Sequence, residues 1–238
     1  MKKKPNTDSF QYYPLGDSAI VIQLGDQISP VINKKVRAIA AWLDEYSFEG
    51  FIEYVPAFTT VTVYYEPWII SYAKLLELLR EMLNELMEQE EIHAENTIEI
   101  PVCYGGAYGP DLGFVASHNK MSPAEVIAIH TSVDYLVYMI GFAPGFPYLG
   151  GMNELISAPR KDSPRAKIPA GSVGIAGQQT GIYPIETPGG WQIIGQSPVQ
   201  LFEVSREVPA LLKSGDQVRF VAISETEFKK MRRTKDGN

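Results

Sequence analysis

The amino-acid sequence predicts an α+β protein in two parts, a small α/β domain followed by a β-rich barrel. Three observations lead there. The first third alternates short β-branched or aromatic runs with two stretches of helical period. A polar, charge-rich segment over 88–96 then breaks the pattern. Beyond Tyr135 the chain becomes short apolar runs punctuated by Gly and Pro, as in a set of short strands joined by shaped turns. The domains are placed at residues 1–93 and 97–228.

Ala19 to Leu24 is a short apolar run stopped by Gly25 and reads as a strand. Ser29-Pro30 supplies an N-cap followed by proline at the first helical position. Ile32, Val36, Ile39, Ala40 and Leu43 then recur at helical spacing, with Lys34, Lys35 and Arg37 between them. Phe51 to Val55 and Thr59 to Tyr65 are β-branched and aromatic and are interrupted by Pro56, so they form a strand pair or one broken strand. Ser71 opens a second helix with the stripe Leu75, Leu78, Leu79, Met82, Leu83 and Leu86, and with Glu77, Glu81, Glu85 and Glu88 on its other faces. Strand–helix–strand–strand–helix is the order of a split βαβ, ferredoxin-like module.

Thr97 to Cys103 resumes as a strand, and Tyr104 to Pro110 is a turn-rich loop. Asp111 begins a short helix through Ser117, and Ser122-Pro123 begins another with Glu125 in its first turn. Asp216 to Ile223 reads as the closing strand of a closed or nearly closed barrel. The basic tail Lys229, Lys230, Arg232, Arg233, Lys235 reads as a solvated, frayed end.

Composition excludes several functions. With 45% hydrophobic residues among 238, there is material for a core and no case for global disorder. A net charge of −7 argues against binding nucleic-acid phosphates. No apolar run approaches the roughly 18 residues that a membrane-spanning helix needs. Met1 to Lys4 is basic but runs into Pro5, so no signal peptide is expected. The lone Cys103 fits a reducing cytoplasm and reads as a half-buried structural thiol. His93, His118 and His130 stand in helix or linker contexts, with no ligand pair at metal spacing, and no metal is expected. There is no P-loop and no GxGxxG, and Gly171-Ser172-Val173-Gly174 resembles a GxSxG elbow only loosely. No side chain is assigned to making or breaking bonds.

What remains is a set of polar groups among the Gly/Pro turns. Arg160 and Arg165 bracket KDSP. They are planar donor forks suited to a carboxylate or phosphate, or plain surface arginines flanking a loop. Ser172, Gln178, Thr180 and Tyr183 follow on adjacent strands. They converge with Trp191 on a concave face, or they merely alternate between core and water. The apolar loop containing Phe142, Pro144, Phe146 and Tyr148 is an exposed interaction surface or a buried loop packed on the barrel.

The strings CYGG and GPDL (Cys103 to Leu112), YMIGFAPGFPYLGGM (Tyr138 to Met152), PRKDSPR (Pro159 to Arg165) and IPAGSVGIAGQQTGIYPIETPGGWQIIG (Ile168 to Gly195) carry a resemblance. They resemble the allophanate hydrolase subunit 1 family, also called the B subunit of ATP-dependent 5-oxoprolinase. The likeness runs along nearly the whole chain from Leu15. It implies a ferredoxin-like N-terminal domain, a cyclophilin-like β-barrel C-terminal domain, and partner subunits A and C. Together these open 5-oxoproline to L-glutamate with ATP hydrolysis, so the chain is expected to bind no cofactor by itself and to be inactive alone. In that setting Arg160, Arg165, Ser172, Gln178, Thr180 and Tyr183 line a substrate or intermediate pocket. Bacillus-type relatives include an inhibitor of a sporulation sensor histidine kinase. They imply an alternative, a protein that blocks autophosphorylation through the surface of Phe142, Pro144, Phe146, Tyr148 and Trp191.

Overall fold

The computed structural model describes residues 10–88 and 97–236. The basic stretch Met1–Lys4 and, of the linker expected over 88–96, all but Glu88, His93 included, lie outside the described residues; Glu88 ends a helix. The chain divides into two compact units, 1–94 and 95–238. Among the described residues no helix is long and apolar enough to cross a membrane.

The first unit has, in chain order, β1 (Gln11–Pro14), β2 (Ala19–Gln23), α1 (Pro30–Glu45), β3 (Phe51–Pro56), β4 (Thr60–Tyr65) and α2 (Tyr72–Glu88). Its strands form one antiparallel sheet in the order β1-β2-β4-β3. Because β4 lies between β2 and β3, the β2–α1–β3 connection is a split βαβ. Side-chain alternation makes β4 central: Val61, Val63 and Tyr65 are buried, while Thr60, Thr62 and Tyr64 are half-buried. The two β-branched runs are therefore a pair and not one broken strand. Ser29 Oγ accepts from Ile32 N–H at 3.2 Å to start α1, which buries Val36, Ile39 and Leu43. Helix α2 buries Leu75, Leu79, Met82 and Leu83 and turns Glu77 and Glu81 to solvent. Strand β1 is not legible in the sequence. QYYP lacks apolar alternation and ends in proline; pairing with β2 at the sheet edge makes it a strand.

The second unit has, in chain order, β5 (Thr97–Tyr104), α3 (Leu112–His118), α4 (Pro123–His130), β6 (Asp134–Ile140), β7 (Pro147–Gly150), β8 (Arg165–Ile168), β9 (Ser172–Ala176), β10 (Gln179–Ile182), β11 (Thr187–Gly189), β12 (Gln192–Gln196), β13 (Gln217–Ala222) and α5 (Glu225–Asp236). Seven strands close into a barrel in the order β10-β7-β6-β13-β5-β12-β9, with β9 paired back to β10. The closing strand β13 runs parallel to β5 and antiparallel to β6. Strands β8 and β11 form a separate two-stranded sheet. The barrel core gathers Ile100, Val102, Val137, Val173, Ile175, Ile182, Val218 and Phe220. The basic tail is not a frayed end. Ser224 and Glu227 cap one another, and α5 buries Phe228 with its ring centroid 4.4 Å from that of Tyr108.

A polar, titratable cluster lies inside the apolar barrel around His130. His130, at the end of α4, is fully buried and stacks on Phe220 at 4.5 Å between centroids. Its Nδ1 is 2.8 Å from Tyr104 Oη, and its Nε2 is 2.9 Å from Thr180 Oγ1. Thr180 Oγ1 in turn donates to the Gly174 carbonyl at 3.1 Å. Since the threonine proton is committed, Thr180 accepts from His130 Nε2–H, and Nδ1 accepts from the Tyr104 hydroxyl. The ring is thus fixed in the Nε2–H tautomer. Burial pushes its pKa down to about 3.

An unfolded histidine takes its proton near pH 6.5, so between these values the unfolded chain binds more protons and stability falls as pH falls. From this ring alone, the unfolding free energy at about pH 4.5 is expected to lie about 2–3 kcal/mol below its value at neutral pH. Denaturant titrations across pH check this, and His130→Gln, which does not titrate there, should lose that part of the slope.

Candidate functional site

The site begins with the two faces of the β9–β10 hairpin. Val173, Ile175, Thr180 and Ile182 point into the barrel. Gly174, Ala176, Gly181 and Tyr183 face the other way, as strand alternation requires. Gly174 and Gly181 sit directly opposite one another, and aromatic rings lie on the bare patch they leave. A Cβ on Gly181 would come within 3.0 Å of the Phe146 ring and 3.1 Å of the Trp191 ring. A Cβ on Gly174 would lie 3.1 Å from Trp191 Cβ. A Cβ at either position would crowd these atoms, so glycine suits the close approach at both. Phe146 meets Trp191 edge-to-face at 5.7 Å and Tyr183 at 5.4 Å between centroids.

The segment 159–165 crosses beside these rings. Lys161 N–H donates to the Gly190 carbonyl at 2.8 Å, and Gln192 Nε2 donates to the Pro159 carbonyl at 2.9 Å. Arg165 opens β8 opposite Gly189. A side chain at Gly189 would strike the Tyr183 hydroxyl, so this glycine lets the β8–β11 sheet settle over the phenol. Burial pushes the Tyr183 pKa up to about 12 against the nearby Arg160 and Arg165 charges, so the phenol remains protonated.

Asp111 joins these parts. It occupies the N-cap of α3 yet makes no side-chain cap bond. Its carboxylate is buried and turned elsewhere: Oδ2 accepts from Ile193 N–H at 2.7 Å, and Oδ1 accepts from Arg165 Nη2 at 2.7 Å, with Lys161 Nζ at 3.5 Å. Burial alone would raise the pKa of this acid. The hydrogen bonds from Arg165 and Ile193 and the two positive charges outweigh burial and hold it below the ordinary value. Arg165 Nη1 is shielded from solvent and has no hydrogen-bond partner.

The structure brings together Arg160, Arg165, Tyr183 and Trp191. Ser172 is at their edge, buried, its carbonyl accepting Tyr183 N–H at 2.9 Å. Two expected pocket residues lie elsewhere. Thr180 is an odd number of residues from Tyr183 and so points into the barrel, where it holds His130. Gln178 is exposed in the turn at the far end of the hairpin. The apolar loop is also divided. Phe142 and Pro144 face outward, with Phe142 65% exposed and at φ +68. Tyr148 is half-buried, but Phe146 and Trp191 are buried and support the loop instead of offering a docking face. Sequence reasoning does not reach Asp111 or the Gly174–Gly181 pair as site residues. Asp111 reads there only as a helix start. Cys103 is buried, and burial raises its thiol pKa. Among the described residues, no three His, Cys, Asp or Glu side chains are grouped to hold a metal.

Residues 10–212 match the carboxyltransferase domain family, subdomain C and D. The chain belongs to that family. Among relatives, the 5-oxoprolinase B subunit of Bacillus subtilis (strain 168) is 50% identical over 232 residues, which cover 93% of this chain and 96% of the relative. The 5-oxoprolinase B subunit of Escherichia coli O157:H7 is 41% identical over 90% of this chain and 96% of its own. The crystal structure of TTHA0988 superposes with a TM-score of 0.76 at 37% identity, covering 87% of this chain but 40% of that longer chain. For this family member, Gly181→Val is expected to overpack the ring cluster and cost about 1–3 kcal/mol. A lowered denaturant midpoint and a weakened near-ultraviolet circular dichroism signal from the displaced rings check this.

Proposed function

We propose that this chain is the B subunit of a 5-oxoprolinase, which with subunits A and C opens 5-oxoproline to L-glutamate while hydrolysing ATP. One observation carries the reading: half of the aligned positions are identical to a protein of that name across nearly the full length of both chains. A lactam is a stable amide. Phosphorylating its oxygen activates the carbon for water. The ring C–N bond then breaks with the nitrogen taking a proton as the amine, and hydrolysis of the resulting acyl phosphate releases phosphate and leaves L-glutamate. Such a reaction asks for positioning and charge stabilisation more than for a nucleophilic side chain. Arg160, Arg165 and the protonated Tyr183 suit that task, and the nucleotide chemistry belongs to the partner subunits on this reading. A cytoplasmic setting accords with a single buried Cys103.

Finer points of fold belong to the same reading. The first unit is a ferredoxin-like variant in which β1 takes the edge place of the fourth strand, supported by the order β1-β2-β4-β3. The second is a cyclophilin-like barrel.

The exposed Phe142 favours a docking role for its loop. A bulky residue held at φ +68 is strained, and such strain gathers at functional positions. The loop serves the assembly with the other subunits, and the sensor-kinase alternative rests on the same surface.

Two experiments follow. Co-expression with the partner subunits should give glutamate release from 5-oxoproline only when ATP is present, and the chain alone should give none; a silent complex removes the enzyme reading. Phe142→Ser should lower capture of the partner subunits about tenfold or more, and unchanged capture by the variant assigns the loop elsewhere.

A further inference from the structure

Two cations meet one buried carboxylate, and a third lies beside the neighbouring phenol. Arg165 and Lys161 meet Asp111, and the charges of Arg160 and Arg165 both reach Tyr183. The cluster is left with surplus positive charge in a chain of net charge −7. Arg165 is divided in its bonding. Nη2 is engaged by Asp111, while Nη1 is withdrawn from water and finds no acceptor. A buried donor without a partner is costly and calls for an explanation. Asp111 gives a second, independent sign, because it forgoes capping its own helix in order to hold Arg165 and β12. Local preferences overridden in this way mark functional positions.

We propose that Arg165 and Arg160 hold the carboxylate of the substrate, and that Asp111 is the positioning residue that aims the Arg165 fork. The inference rests on the 5-oxoprolinase reading, whose substrate joins a neutral lactam to one carboxylate. A guanidinium presents paired donors at the spacing of carboxylate oxygens. Lys161 is the neighbour free to move aside as the anion enters: it lies at a long 3.5 Å from Asp111 and its side chain is 32% exposed. The site thereby separates 5-oxoproline from lactams that lack the acid group, because a neutral analogue leaves the guanidinium donors unpaired.

The test uses the complex with its partner subunits, L-5-oxoproline as substrate and 2-pyrrolidinone, the same lactam without a carboxylate, as competitor. Arg165→Gln is expected to raise KM about 10- to 100-fold with a smaller change in kcat, and Arg165→Lys to restore part of the loss. Asp111→Asn should raise KM in the same direction and weaken the preference for 5-oxoproline over 2-pyrrolidinone, which a purely structural role would leave intact. Arg160 is exposed, so Arg160→Gln folds like the parent and should also raise KM. An active complex in which Arg160→Gln and Arg165→Gln both keep the parental KM overturns the inference and leaves the enzyme reading standing. If the parental complex is silent, calorimetric titration of L-5-oxoproline into the chain alone decides: binding abolished by Arg165→Gln supports the site, and no binding to the parent overturns it.

Discussion

A carboxylate withdrawn from water must be matched by donors, and in the second unit that requirement falls on Asp111. Its two oxygens are claimed by different parts of the chain: the backbone of β12 on one side, Arg165 and Lys161 on the other. Reciprocally, the Asp111 N–H donates to the Ile193 carbonyl at 2.8 Å, so the entry to α3 is stitched to β12 by both backbone and side chain. Removing water from such a group is expensive unless every lone pair is used. The penalty therefore becomes a geometric specification. The loop after β5, strand β12 and the segment 159–165 have one mutual arrangement in which the charge is satisfied.

The β9–β10 hairpin makes this arrangement useful by serving two environments at once. Its inward face contributes Val173, Ile175 and Ile182 to the barrel, and Thr180 to the His130 network. Its outward face is stripped to glycine where Phe146 and Trp191 must lie close. The rings, the β8–β11 sheet and the guanidinium groups then stack outward on this base. A shift of one residue in strand register would exchange the faces and remove both the polar network and the aromatic floor.

Local signals are enough to read most of the architecture. Ser29-Pro30 and Ser122-Pro123 start helices where their chemistry says they should, and the second pair forms a full capping box with Glu125. Alternation in Thr60–Tyr65 marks a central strand, and Gln217–Ala222 is the closing strand expected near Asp216. The misreadings come from partners distant in sequence. QYYP is a strand only because β2 lies beside it. The basic tail is held as a helix by the Ser224–Glu227 cap and by Phe228 packing on the distant Tyr108. In the site, Arg160, Arg165 and Tyr183 are legible as donors among turns. Thr180 falls on the wrong face in a sequence reading because parity counts only once the strand bounds are known. Asp111 escapes notice as a site residue because its role depends on Arg165 and Ile193, far away in the chain.

The junction of β13 with β5 has a consequence for how the molecule is made. Gln217 pairs with Thr97 and Ala222 with Val102, which joins the first strand of the unit to its last. Contacts so remote in sequence are entropically demanding to form and slow the approach to the native state. During vectorial synthesis, β5 and β6 emerge from the ribosome long before the strand that must fill the gap between them. Until then, two lines of unpaired backbone groups stand open to other nascent chains. The unit thus stays vulnerable to intermolecular pairing until β13 has emerged, because the ladder that closes the barrel waits for that strand.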